Sequence, residues 1–160
     1  MIYTSYRNVQ KEPTQDDTVI DRSGIWAVII DSENRILISH PEYDSDIMEL
    51  PGGGIEENED KQLSLIREIE EEAGTTFQTL TPAQTFTQHV KFLAWDKSEF
   101  WNYDQEYWLV KLENNNHYFE GTRPTEEGAL GKWVSLSEIN NDNFHHTHFQ
   151  AMKKMEIINA

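Results

Sequence analysis

From Arg67 to Gly74 the chain reads Arg-Glu-Ile-Glu-Glu-Glu-Ala-Gly. At about 100° per residue on a helix, Glu68, Glu71 and Glu72 fall within one arc of about 100°. Carboxylates at i, i+3 and i+4 repel one another by a few tenths of a kcal/mol per pair even in solvent. A helix that needed only stability would carry lysines there. A hard divalent cation reverses the sign of that repulsion, and Mg²⁺ is commonly held by one or two carboxylates plus substrate phosphates. Such a cluster could cleave a phosphoanhydride, because a cation offsets charge on the phosphoryl oxygens, orients a water and lowers its pKa. The plainer reading makes Glu70 to Glu72 a solvated helix face, as most charge runs are. The glycines and the spacing around them favour the metal.

The scaffold for these groups lies on either side of them in the chain. Leu63, Ile66, Ile69 and Ala73 fall on one side of the helix, with Leu65 at the edge, and predict its buried face. Asn58 is the expected N-cap and Gly74 the residue just past the C-terminus. Upstream, Ile47-Met48-Glu49-Leu50 leads into Pro51-Gly52-Gly53-Gly54, where the backbone can turn sharply and approach a ligand closely. Arg67 lies one turn before Glu71, so an ion pair that orients a ligand is available. Glu59 stands near the helix start, where a carboxylate favours the dipole.

Gly53 to Thr75 resembles the Nudix box, G-x5-E-x7-R-E-U-x-E-E-x-G-U, with U a bulky apolar residue. Gly53, Glu59, Arg67-Glu68, Ile69, Glu71-Glu72 and Gly74 match, and Thr75 alone departs, in the last position. The box covers 23 of the 160 residues. The resemblance implies an α/β fold, the Nudix α/β/α sandwich with a mixed β-sheet between helices. It implies Mg²⁺, or Mn²⁺ in its place, shared by Glu68, Glu71 and Glu72 and touched by the Gly52 carbonyl. Glu59 belongs to the outer part of such sites, and the general base is one of the glutamates or a residue elsewhere. Glu126 to Trp133 resembles a MutT-like loop in which a glutamate reaches the metal, and Glu127 is the better candidate.

The activity this implies is hydrolysis of a pyrophosphate bond in a nucleoside diphosphate linked to another moiety. The alternative is a catalytically idle Nudix domain that binds a nucleotide or regulates a partner, but such domains usually lose box glutamates, and here all are present. Isopentenyl-diphosphate isomerase relatives use a catalytic cysteine, which this chain lacks. The proline of ADP-ribose enzymes is absent at Gln88 to Val90, and the tyrosine of diadenosine-polyphosphate enzymes at Lys91 to Leu93. No upstream signature of coenzyme A pyrophosphatases is evident. These absences favour a nucleoside triphosphate or a small nucleotide derivative.

The rest of the chain bounds these readings. Its 160 residues suit one domain. Residues 1–22 read as an N-terminal arm with one short strand, and residues 23–160 as a single Nudix hydrolase domain. A chain without cysteine has no thiol chemistry and suits a reducing cytoplasm. The first residues lack the apolar run of a signal peptide, and no stretch is long enough to span a membrane. A net charge of −16 argues against nucleic acid as a partner and would repel an anionic small substrate unless a metal inverted the local field, so it fits a metal-dependent phosphate enzyme, although the charge alone speaks more for solubility. Monomer and homodimer both stay open.

Ile25–Ile30 predicts a strand buried on both faces, Arg35–Ser39 its hairpin return, and residues 77–95 one or two strands. Residues 96–104 read as a loop, Glu106–Leu112 as a strand, Asn114–Asn116 as a turn and His117–Phe119 as a short strand. Lys132–Leu136 reads as the last strand, with Ser137 as the cap of the segment after it. Residues 144–158 read as a closing helix that buries Phe144, Phe149, Met152 and Met155. His145, His146 and His148 lack the carboxylate partner of a transition-metal site and are expected to flank the helix start or rim a pocket. Trp95, Trp101, Tyr103 and Trp108 read as packing, with one of them free to stack on a base.

Overall fold

A computed structural model describes residues 1–41, 44–113 and 130–159. Its strands are β1 (Tyr3–Thr4), β2 (Gln10–Lys11), β3 (Val19–Ile30), β4 (Arg35–His40), β5 (Gly52–Gly54), β6 (Gln84–Ala94), β7 (Glu99–Lys111) and β8 (Leu130–Ser135). Helix α1 (Lys61–Ala73) lies between β5 and β6, and α2 (His146–Lys154) follows β8. The strands form one mixed sheet ordered β2-β1-β6-β7-β3-β4-β8, with β5 paired to β3. β3 and β7 run parallel from Val19 opposite Phe100 to Ile30 opposite Lys111, and β6 lies antiparallel to β7. No helix among the described residues is long and apolar enough to cross a membrane.

The apolar run of β3 explains the layering. Successive strand residues point to opposite faces. Trp26 and Val28 pack with Phe149 and Met152 of α2. Ile25, Ala27 and Ile29 pack with Leu65, Ile69 and Ala73 of α1. Each fully buried aliphatic side chain contributes roughly 1.5–3 kcal/mol, so the two helices are held to opposite faces of one sheet. This is the α/β/α sandwich that the box implies.

Several local expectations are corrected. The buried face of α1 is Leu65, Ile69 and Ala73, with Ser64, and Leu63 is 66% exposed. Leu63 lies about 160° around the helix from Leu65, so the two cannot share a buried face. The N-cap is Asp60 rather than Asn58, because the Asp60 carboxylate accepts the Leu63 N–H at 2.9 Å. Gly74 ends the helix at φ 65°, as expected, and its N–H donates to Glu70 O.

Residues 96–104 are not a loop. Only Trp95–Lys97 form a 3₁₀ turn, Ser98 takes φ 52°, and β7 already runs from Glu99. The buried amide of Gln105 stands where an apolar residue would have revealed the strand's alternation. Residues 77–95, expected to hold one or two strands, hold one, β6. The helix expected over 144–158 is regular only from His146 to Lys154, though Phe144, Phe149, Met152 and Met155 are buried. Ser135, rather than Ser137, caps the turn after β8, its hydroxyl accepting the Ser137 N–H. The first 22 residues hold two short strands and the start of β3. There Thr4 pairs with Phe92 of β6, and Tyr3 packs edge-on against Phe100. The expected turn at Asn114–Asn116, the strand at His117–Phe119, and Glu126 and Glu127 lie outside the described residues.

Candidate active site

β5 lies along β3 with Gly54 opposite Gly24, Gly53 opposite Ile25 and Gly52 opposite Trp26. Gly52 has φ 152°, and a Cβ there would stand 2.2 Å from Ile25 O and 2.6 Å from Trp26 Cα. Only glycine lets the two backbones lie this close. A Cβ on Gly53 would meet Glu68 Cδ at 3.1 Å, so the Glu68 carboxylate rests directly on the glycine turn. The Gly52 N–H donates to Glu72 Oε2 at 3.1 Å, and the Ser39 hydroxyl donates to Glu72 O at 3.0 Å. The turn and the last helical turn are thus tied together through Glu72 itself.

Arg67 Nη1 lies 3.3 Å from Glu68 Oε1 and 3.3 Å from Glu71 Oε2. The expected i, i+4 pair is present, and Glu68 shares the same guanidinium. Partial burial works against the Arg67 charge, and the Glu68 and Glu71 carboxylates more than offset this, so Arg67 is held more firmly protonated than usual. The side chain of Glu68 is 14% exposed and that of Glu71 39%, a gradient from the glycine turn outwards.

The structure therefore brings Gly52, Gly53, Arg67, Glu68, Glu71 and Glu72 together. Glu59 is exposed in the loop before α1 and acts on Arg67 through its charge, beside a cavity of about 580 Å³ that it lines with Lys61 and Glu106. Gly74 stands at the far end of the helix, where its role is to terminate it. Among the described residues no three carboxylates or imidazoles converge into a ready-made metal cage. The groups present nonetheless fit a hard divalent cation. Their donors are oxygens, they line one helix flank, and the side-chain-free turn brings backbone against Glu68. Such an open site is completed by substrate oxygens and water.

A second cavity, of about 280 Å³, adjoins this flank and is lined by Gly52, Gly53 and Glu72 together with aromatic side chains. Trp26 stacks on Tyr107 at 5.5 Å and meets Tyr103 edge-on at 5.4 Å. His145 and His148 stack face to face at 4.0 Å, and His145 stacks on Phe92 at 5.7 Å. Burial first, then the neighbouring His146, push the His145 pKa down to about 3. Burial, with His145 adding, pushes His148 well down. Both rings are therefore neutral packing and lining groups, in keeping with the expectation that they flank the helix start. Burial raises the Tyr103 hydroxyl pKa; Arg22 opposes this, and Glu68, Glu72 and Glu49 add to the rise. Tyr103 is thus a protonated donor facing the carboxylates. Sequence reasoning missed Trp26 and Gln105 as cavity residues. The long parallel register of β3 with β7 brings them together, and no local pattern announces it.

Residues 21–155 match the NUDIX domain family model, and the chain belongs to the Nudix family. The 8-oxo-dGTP diphosphatase of Escherichia coli K12 is 32% identical over 124 residues, covering 73% of this chain and 82% of that protein. Within the family the chain is MutT-like: a Nudix pyrophosphohydrolase that acts on nucleotide derivatives. The fold agrees. A MutT Nudix hydrolase from Burkholderia pseudomallei superposes with TM-score 0.58 at 22% identity, covering 83% of this chain and 96% of that one. A bifunctional NMN adenylyltransferase/ADP ribose pyrophosphatase from Francisella tularensis, complexed with AMP and a Mn ion, superposes with TM-score 0.59 at 18% identity, covering 85% of this chain and 41% of that one.

Proposed function

We propose that the protein hydrolyses a pyrophosphate bond in a nucleoside triphosphate or a closely related nucleotide, with Mg²⁺ as cofactor and Mn²⁺ able to replace it. The observation that carries this reading is that Gly52 and Glu72 line the aromatic cavity and also belong to the carboxylate flank. A base in the cavity would bring its phosphates to the flank. Glu68, Glu71, Glu72 and the Gly52 carbonyl would hold the cation, with Glu127 as a further carboxylate. A bound divalent cation supplies charge neutralisation at the phosphoryl oxygens and an oriented water. Arg67 holds Glu68 and Glu71 in place, and the Gly52 N–H holds Glu72. The catalytic unit is residues 23–160, with residues 1–22 as an N-terminal arm that supplies the edge strands β1 and β2 and leads into β3, in a protein of the cytoplasm. The Mn ion in the Francisella relative and the name of the Escherichia coli relative support the metal and the triphosphate class.

The test is a panel of nucleotides that includes 8-oxo-dGTP, incubated with purified protein and Mg²⁺ and resolved by chromatography. The expected products from a triphosphate are a nucleoside monophosphate and pyrophosphate. Failure to cleave any member of the panel contradicts the reading.

A further inference from the structure

The cavity beside Glu72 carries an unusual set of hydrogen-bonding groups. His148 is 2% exposed, and its Nδ1 accepts the Leu50 N–H at 3.2 Å. A neutral ring whose Nδ1 accepts must carry its proton on Nε2. That Nε2–H has no protein partner among the described residues and is not sealed from the cavity that the ring lines. Gln105 is 3% exposed. Its Oε1 accepts from Gln88 Nε2 at 2.9 Å and from the Tyr107 hydroxyl at 2.9 Å. The amide oxygen is thereby occupied, and the NH₂ group has no partner among the described residues. The Tyr103 hydroxyl, on a ring 6% exposed, likewise has no partner among the described residues.

The nearly buried side chains of His148, Tyr103 and Gln105 all line one small aromatic cavity, and Gln105 borders the larger cavity beside Lys61 as well. Donors that face a cavity without a protein partner are satisfied by water or by a ligand that enters it. Glu49 also lines this cavity and brings a carboxylate to it. Trp26 and Phe92 supply flat apolar surface for a ring. The complement of several donors beside one carboxylate is a ring carbonyl next to a ring N–H. The carbonyl oxygen has two lone pairs for the donors, and the N–H can meet the carboxylate. A base with an amino group in place of that carbonyl would point two hydrogens at the donors.

We propose that this cavity reads the lactam edge of a nucleobase through His148, Gln105 and Tyr103, and so selects keto nucleotides over their amino counterparts. The proposal rests on the reading of the protein as a nucleotide hydrolase and names the base class for the same site. Two substrate pairs isolate the feature: ITP against ATP, and UTP against CTP. Each pair exchanges a carbonyl and ring N–H for an amino group and ring nitrogen. The expected result is a kcat/KM at least about tenfold higher for the keto member of both pairs, since a site built to hydrogen-bond a group discriminates strongly against its replacement. Tyr103→Phe, which removes one oxygen and keeps the ring, and Gln105→Met should each shrink that ratio by lowering the keto member. Quenching of tryptophan fluorescence by inosine and adenosine, in chelator, reads the same preference without turnover. A ratio near one, or one favouring the amino member, with measurable hydrolysis of all four, overturns this proposal and leaves the hydrolase reading standing. Absence of both hydrolysis and quenching removes the hydrolase reading and this proposal with it.

Discussion

Glu72→Gln separates a catalytic flank from a structural one. In the protein Glu72 Oε2 accepts the Gly52 N–H at 3.1 Å, and its backbone oxygen accepts the Ser39 hydroxyl at 3.0 Å. Glutamine keeps the backbone bond and still offers an amide oxygen to Gly52. Exchanging a charged acceptor for a neutral one costs about 1 kcal/mol. Relief of the i, i+4 repulsion with Glu68 returns a few tenths of a kcal/mol. The net change is a loss of less than about 1 kcal/mol, or a fall in Tm of no more than about 2–4 °C in chelator. Activity behaves differently. Removing one ligand from an open cation site withdraws charge stabilisation from the transferring phosphoryl group. A loss of about 3–4 kcal/mol in barrier lowering is roughly 10²–10³-fold in kcat. The assay pairs thermal unfolding without metal with initial rates in Mg²⁺. A variant with a clearly lower Tm and unchanged kcat would overturn the catalytic role, because Glu72 would then be a brace for the glycine turn and nothing more.

Other expectations are local. Asp60→Ala removes the cap bond to Leu63 N and should cost about 1 kcal/mol, seen as a lower urea midpoint, whereas Asn58→Ala should leave it unchanged. Gly52→Ala places a Cβ 2.2 Å from Ile25 O, so the β3–β5 contact must open; a loss of about 2–4 kcal/mol is expected, measured by chemical unfolding. Stability should also fall in mild acid. An unfolded histidine titrates near pH 6.5, whereas burial and His146 hold His145 at about 3 in the folded protein. Below about pH 6.5 the unfolded chain takes a proton that the folded one refuses. His145 alone then removes about 2 kcal/mol by about pH 5, with His148 acting in the same direction. Unfolding midpoints compared at the two pH values check this, and His145→Phe should flatten the dependence.

The carboxylate flank is legible in the sequence because helical spacing alone groups Glu68, Glu71 and Glu72, and strict motif spacing ties them to Gly52 and Gly53. The sandwich is legible because Ile25–Ile30 is apolar at both parities, which only a doubly covered strand tolerates. The face of α1 is not, because Leu63 and Leu65 are equally apolar, and docking against β3 and β4 rather than composition decides which is buried. The start of β7 resembles a loop because Gln105 hides a polar amide in the interior, bonded to Gln88 and Tyr107. The aromatic cavity is out of reach for a similar reason. Trp26, Tyr103 and His148 are far apart in sequence and meet only through the β3–β7 register and the docking of α2.

Catalysis by this protein is proposed to run through a divalent cation held on the flank of α1. The initial rate on a nucleotide that the panel shows to be cleaved, measured in excess chelator and again after Mg²⁺ is restored, tests that dependence without any substitution. Turnover should fall to background in chelator and return with Mg²⁺ or Mn²⁺. An undiminished rate in excess chelator would contradict the metal-dependent mechanism.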